Sequence, residues 1–450
     1  MTKKIVILCL IFITSNVFSQ QLAFPKAEGF GRFAKGGRGG DVYSVTNLND
    51  SGIGSLRYGI ETATCPRTIV FDISGNIYLS KQLKIINPDI TIAGQTAPGD
   101  GITLTGYALY VQADNIIIRY FRCRLGDSNS EISDAISITN GKNIMLDHVS
   151  ASWSVDETLS CQSGTVDSLT VQWCLISESL NNSIHKKGGH GMGGIIGALH
   201  QSFHHNLYAH HNSRSPKVTG RRHCEVDFRN NVIYNWGNNN CYDGTSSYIN
   251  WVNNYYKAGP ATNNKCRFRI FQLFDNQIEE GNHNSPEDSK KYKTSLYAVG
   301  NYIEGSPKIT TDNWAGGIEF MEGATKAKNR AYKSPFIAPV INEQPAIEAY
   351  PLVLSQAGAS RKRDFIDMRI VNEVKTGTST YGKNGIIDTP NDVGGLPTLL
   401  STKPFEDTDK DGMPDVWEKQ KGLNPKNPDD RNIVNTDGYT MLEEYLNSIK

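Results

Sequence analysis

Short runs of alternating apolar and polar residues recur through the middle of the chain, at 116–125, 144–153, 169–176, 202–209, 225–234, 248–256 and 296–303. A period of two marks β-strands, because successive side chains reach opposite faces. Gly, Asn and Ser separate the runs. The starts at 202, 225 and 248 are spaced by 23 residues, the period of one coil of a parallel β-helix. Asn230-Asn231 and Asn253-Asn254 keep the same spacing, and eleven of residues 201–254 are Asn. Stacked Asn side chains in such a coil bond to one another and to turn backbone at every rung. Helical periodicity is scarce before residue 340. A β-sandwich would need a hairpin turn every 8–12 residues or so. The pattern therefore predicts an all-β fold, a right-handed parallel β-helix over 20–339.

The pattern changes at both ends. Residues 340–400 are punctuated by Pro339, Pro345 and Pro351, carry one candidate helix at 347–357 and a basic cluster at Arg361, Lys362 and Arg363. They are expected to cover the side or end of the solenoid, since open ends need capping. At the start, Lys3 and Lys4 precede an apolar run at 5–13, and Val17 and Ser19 stand at −3 and −1 before Gln20. That is a secretory leader over 1–19, too short to span a bilayer. It predicts export to the medium, periplasm or cell surface. No later segment is long and apolar enough for a membrane span.

Composition narrows the partners. The chain has 450 residues, with 46 Lys+Arg against 46 Asp+Glu. Zero net charge argues against a nucleic-acid binder, and no partner-binding motif stands out, so a monomer is expected. Seven cysteines follow the leader: Cys65, Cys123, Cys161, Cys174, Cys224, Cys241 and Cys266. The number is odd and no CxxC pair occurs, so small buried core residues are favoured over a zinc or redox site.

The tail, 401–450, carries the sharpest local motif. Asp407, Asp409, Asp411, Gly412 and Glu418 match D-x-[DN]-x-[DN]-G-x5-E at every fixed position. Calcium takes six to eight or so oxygens. Asp407, Asp409 and Asp411 would supply carboxylates, Gly412 the sharp turn, Asp415 a ninth-position ligand and Glu418 the closing bidentate ligand. Asn435, Asp437, Gly438 and Glu444 repeat half of the pattern. The tail resembles the small paired calcium modules of dockerin-like or thrombospondin-type-3-like kind.

Nine of the ten His lie between 148 and 223. No HExxH occurs, and strand-borne pairs such as His204-His205 are expected to point to opposite faces, so satisfied core histidines are favoured over a zinc centre. Basic Lys186, Lys187, Arg214, Lys217, Arg221 and Arg222 share this stretch with acidic Asp134, Asp147, Asp156 and Glu157. Basic and acidic residues along a long solenoid groove suit an extended anionic polymer with bridging cations, and polyuronate is the natural candidate.

On these residues the chain resembles pectate lyases of polysaccharide lyase family 1, in particular the secreted type of Bacteroidota, from about Ala23 to Pro397. The opening AFPKAEGFGRFAKGGRGGDVYSVTNLNDSGIGSLRYGI is similar to that group's N-terminus. NIIIRYFRCRLG and DAISI resemble the coil that presents the first calcium carboxylate, which implies that role for Asp134. IMLDHVSASWSVDE resembles the W-I-D-H element and its calcium acids, implying Asp156, with Glu157 where the family often has Gly and Ser160 where it has the second Asp. HKKGGHGMGGIIG places the substrate-carboxylate lysine on Lys187. HHNLYAHHNSRSPKVTGRR places the catalytic arginine on Arg214. The family's second arginine falls on Thr219, with Arg221 as its replacement. The resemblance implies calcium-assisted β-elimination of polygalacturonate. A pectin lyase, a β-helix hydrolase working with paired carboxylates and a non-catalytic polysaccharide-binding solenoid are the alternatives.

Overall fold

The computed structural model describes residues 20–161, 164–274, 294–321 and 331–449, apart from the side chains of 220–222. The leader at 1–19 and the side chain of Arg221 lie outside the described residues. Three parallel sheets of 13, 9 and 4 strands form a solenoid, here called the large, middle and small sheets. One coil shows the path: Gly141–Asp147 in the large sheet, a tight turn, Ser150–Ser152 in the middle sheet, a long loop, then Leu159–Ser160 in the small sheet. The chain then re-enters the large sheet at Val166–Gln172.

In-register strands stack like on like. Ile69, Ile92, Ile118, Leu146, Val171, Phe203, Phe228 and Trp251 form one inward column, and each is at most 2% exposed. Each such side chain contributes about 1.5–3 kcal/mol on burial. The rings of Phe228 and Trp251 stack at 3.9 Å. The coil length is less regular than the spacing of the runs suggests. Ser202 pairs with Asp227, 25 residues on, and only the next step, Asp227 to Asn250, is 23. The difference falls at a bulge between Thr219 and Cys224, where the register with the next strand shifts.

The asparagine ladder is present. Nδ2 of Asn206 donates to Oδ1 of Asn231 (2.9 Å), Asn231 to Asn254 (3.1 Å), Asn254 to Asn301 (2.8 Å) and Asn301 to Asn313 (2.9 Å). Each Oδ1 also accepts the backbone N–H of the preceding rung's Asn, so the buried turn backbone is satisfied. His204 and His205 depart from the expected opposite facing: their Nδ1 atoms lie 2.9 Å apart. His205 has φ +56°, so the strand has already turned there and strand alternation no longer applies. The seven described cysteines are free, all buried except Cys65.

Helices Ala346–Gln356 and Phe365–Thr376 lie on the outer face of the middle sheet. Val353, Leu354, Ile366, Ile370 and Val374 join Leu175, Leu207 and Val232 in a second apolar cluster. The contact is also ionic. Arg124 Nη2 donates to Asp364 (2.9 Å) and Asp367 (2.8 Å), and Asp364 caps the second helix. The tail helices, Asp415–Lys421 and Met441–Ser448, dock on the first coils through Met413, Leu442 and Leu446 against Val70 and Ala93. Arg38 Nε meets Glu443 Oε1 at 2.7 Å. The tail thus spends its apolar face on the solenoid.

Candidate active site

The long loops from the middle to the small sheet bring the predicted residues of successive coils together. Asp134 precedes strand Ile136–Ile138, and Asp156 and Glu157 precede Leu159–Ser160. Carboxylate oxygens of Asp134, Asp156 and Glu157 lie within 4.8 Å of one another. Asp134 accepts from the Glu157 N–H (3.2 Å) and from Ser137 Oγ (3.1 Å). Burial and the charge of Asp156 push its carboxyl up to about 7. Burial opposes ionisation of Asp156 too, but a hydrogen bond with His190 and the charges of His190, His185 and Arg214 outweigh it, and its carboxyl titrates low. His190 Nε2 is 2.6 Å from Asp156 Oδ1, and His185 stacks on His190 at 3.8 Å.

Arg214 enters from two coils on, beyond the rung of Met192 and Gly193. Its Nη1 pairs with Glu157 Oε1, and its Nε donates to the Tyr242 hydroxyl at 3.2 Å. Its φ is +60°, a left-handed conformation that turns the side chain back toward the acids. The glycine-rich run before it has a steric reason. A Cβ on Gly193 would lie 2.4 Å from the Arg214 carbonyl oxygen, so only glycine lets this segment pass between the coils of Leu159 and Arg214. Lys187 sits exposed on the intervening loop, its backbone N–H donating to His185 Nδ1 (3.1 Å); its ammonium is not drawn into the acid cluster. Arg221 belongs to a bulge between Thr219 and Cys224.

Sequence reasoning missed the two histidines beside Asp156 and gave Lys217 no place beyond the basic stretch. Lys217 Nζ is 3.5 Å from Asp243 Oδ2 and 5.9 Å from the centre of the Tyr242 ring, one strand over from Arg214's partner. His185 and His190 were assigned to the core, whereas they serve Asp156. Lys217 carried a signal, since it directly follows the R-S-P element. Lys217, Tyr242, Gln272 and Glu319 occupy matched register positions on four neighbouring strands and continue the groove floor beyond Arg214.

A second carboxylate cluster lies in the tail. Asp407, Asp409 and Asp411 converge, and Asp411 also converges with Glu418 and Asp430. Asp430 lies outside the twelve-residue loop, and no local motif pointed to it. Both oxygens of Asp409, both of Glu418, Asp411 Oδ2 and Asp430 Oδ1 are buried with no hydrogen-bond partner. Burial and mutual repulsion push Asp411 up to about 8, Glu418 to about 7 and Asp407 to about 6. Such a donor set fits a hard divalent cation. Asp415 is turned away, accepting from Thr408 N–H and Oγ1 at 2.8 Å each. In the half-motif downstream, Glu444 is taken up by Asn435 and Lys421.

No family model matches the chain. Curated relatives do. It is 36% identical over 441 residues to the probable pectate lyase C of Aspergillus flavus, covering 96% of this chain and 94% of that protein. It is 36% identical over 453 residues to the probable pectate lyase C of Neosartorya fischeri, covering 98% and 97%. This chain belongs to the pectate lyase family. It is a polysaccharide lyase. Among solved structures, the cedar-pollen allergen jun a 1 matches with a TM-score of 0.52 at 20% identity, over 74% of this chain and 92% of that one. A thermostable pectate lyase, PL 47, matches with a TM-score of 0.52 at 15% identity, over 77% and 99%. These two likenesses carry the β-helix fold. A match over 98% of the lyase takes in the tail carboxylates as well, so the tail is shared with the fungal relatives.

Proposed function

We propose that this lyase cleaves de-esterified α-1,4-polygalacturonate by β-elimination, leaving 4,5-unsaturated oligogalacturonides. The observation that carries this is the meeting of Asp134, Asp156 and Glu157 with Arg214 on the groove of a solenoid whose relatives are pectate lyases. Asp134, Asp156 and Glu157 would hold a calcium ion. When bound there, it would neutralise a substrate carboxylate and make the neighbouring C5 proton more acidic. Arg214 is the acceptor of that proton, a role that follows the family resemblance. An arginine is ordinarily always protonated, so Arg214 acts only when its proton passes to a neighbour, and Glu157 is the carboxylate already paired with it. Tyr242 fixes the guanidinium plane through Nε. Lys187 and Arg221 contribute cations for substrate carboxylates.

The tail carboxylates Asp407, Asp409, Asp411 and Glu418, joined by Asp430, form a structural calcium site in this reading, and Asp415 braces its loop. Residues 1–19 act as an export leader, 20–339 as the lyase coils, 340–400 as their cover and 401–450 as the calcium-binding tail. The separate apolar clusters under the cover and the tail support those divisions. The enzyme then works outside the cytoplasm on a plant-wall polyanion.

The test is to incubate purified protein with polygalacturonate and follow ultraviolet absorbance of the new double bond, with calcium and then with chelator. A rise that chelator abolishes is expected. New reducing ends without absorbance would overturn elimination in favour of hydrolysis. A rise that survives chelator would remove calcium from the groove.

A further inference from the structure

The floor of the groove extends well beyond the acids. In the small sheet, Lys84 pairs with Tyr110, Tyr110 with Ser137, and Ser137 with Ser160. Matched positions on parallel strands point the same way, and these point outward. Lys84 is exposed between buried Leu83 and Ile85, and Tyr110 is half-buried between buried Leu109 and Val111. Ser137 donates to Asp134 and Ser160 Oγ accepts from Ile195 N–H, so one end of this row lies in the proposed catalytic cluster. The other end, Lys84, is three strand steps away, about 14 Å.

Three observations mark the far end as built for a ligand. Lys84 Nζ lies 5.9 Å from the centre of the Tyr110 ring. The Tyr110 hydroxyl is held 3.1 Å from Ser133 Oγ, next to Asp134, so the ring is tied to the acid-bearing loop. An open hollow of about 580 Å³ adjoins Lys84, bounded by Lys81, Lys84 and Tyr107 among others but not by Tyr110. Of its other charges, Arg57 is paired with Asp50 and Glu61, while Glu131 keeps its charge and accepts a hydrogen bond from Gln82. Lys81 and Lys84 make no ion pair among the described residues. At the opposite end of the floor, Lys217 faces Asp243 and Glu319 faces Arg269.

We propose that Lys84 and Tyr110, with Lys81, form a distal subsite for an anionic sugar residue of the same chain, about three units from the cleaved bond. It rests on the polyuronate reading and deepens it. A uronosyl unit has an apolar C–H face for the tyrosine ring and a carboxylate for the lysine. A pyranoside repeat is close in length to a strand spacing, so the row offers about one position per sugar. A grip three units from the acids would hold the interior of a chain.

The experiment compares kcat/KM on long polygalacturonate with that on trigalacturonate, by absorbance, for the full-length enzyme and for Lys84→Gln, Tyr110→Ala and the double variant. Circular dichroism and Tm confirm that each variant is folded. The polymer-to-trimer ratio is expected to fall about tenfold in the double variant, through KM, and viscosity of the polymer should drop less per bond cut. A ratio within twofold of the parent, in a folded and active variant, sinks the subsite alone. If Tyr110→Ala does not fold, Lys84→Gln and Lys84→Glu carry the same comparison, with the larger loss expected for Glu. A parent enzyme that raises no absorbance on either substrate sinks the polyuronate reading and the subsite together.

Discussion

The two carboxylate clusters differ in how their oxygens are occupied. In the groove, Asp134 has Ser137 and a backbone N–H, Asp156 has His190, and Glu157 has Arg214. In the tail, six oxygens of Asp409, Asp411, Glu418 and Asp430 are buried without a partner. Arg214 and hydrogen-bond donors offset the first cluster in part; among the described residues no cation pairs with the second. Uncompensated buried carboxylates cost several kcal/mol each, which is the physical ground for the cation proposed in the tail. The groove holds its shape without one and can exchange a cation with each substrate. In the function proposed above, acids of similar type serve catalysis in one place and stability in the other.

The largest expected effect is at Arg214. Arg214→Ala should lower kcat by about a thousandfold, in the range for loss of a positioned proton acceptor, and should also lower Tm, because it leaves the buried Glu157 carboxylate without its cation; the absorbance assay and thermal unfolding read both. A Tm that does not move would mean that Arg214 does not balance the groove acids, and the contrast with the tail would fail.

Next comes the tail. Calcium at about a hundred times its dissociation constant stabilises by about 2.7 kcal/mol, a shift of a few degrees in Tm. Glu418→Gln or Asp411→Asn should remove that shift. Calcium-dependent unfolding that survives both substitutions would place the stabilising ion elsewhere.

Asp156→Asn sharpens the comparison from the other side. It should raise the calcium needed for half-maximal lyase activity by about tenfold or more, while the calcium-dependent shift in Tm persists. Titrating activity and Tm on the same preparation separates the two sites.

The smallest effect concerns a pair under the cover. Burial works against the Glu373 carboxylate, but its hydrogen bond from His210, the His210 charge and Arg369 hold it down to about 2 against an ordinary 4.5. A depressed carboxylate stabilises above pH 4.5 or so and loses that contribution as pH falls toward 2. Acid unfolding of Glu373→Gln should therefore be flatter than the parent's across that window.

The solenoid was legible because its signals are local and repeat in register. The inward column from Ile69 to Trp251 and the ladder from Asn206 to Asn313 come from positions that recur once per coil. The tail loop was legible because its ligands are contiguous, and Asp407, Asp409, Asp411 and Glu418 do converge. Asp415 matched the motif but bonds Thr408 instead, because it opens a helix and its carboxylate meets the loop's own N–H. Asp430 was not legible, since the turn after Lys421 brings it back to the loop. In the groove, the resemblance chose residues that the fold does assemble at Asp134, Asp156, Glu157 and Arg214, whereas Lys187 stays on an exposed loop.

Sequence alone determined the coil, its core column, its asparagine ladder and the tail motif, because each is written at fixed local spacing and burial of apolar side chains enforces it. Tertiary structure decided which charges meet. Loops of unequal length set the register between coils, so the pairing of Asp156 with His190, of Glu157 with Arg214, of Lys217 with Asp243, and the row from Ser160 to Lys84 exist only once strands distant in sequence lie side by side.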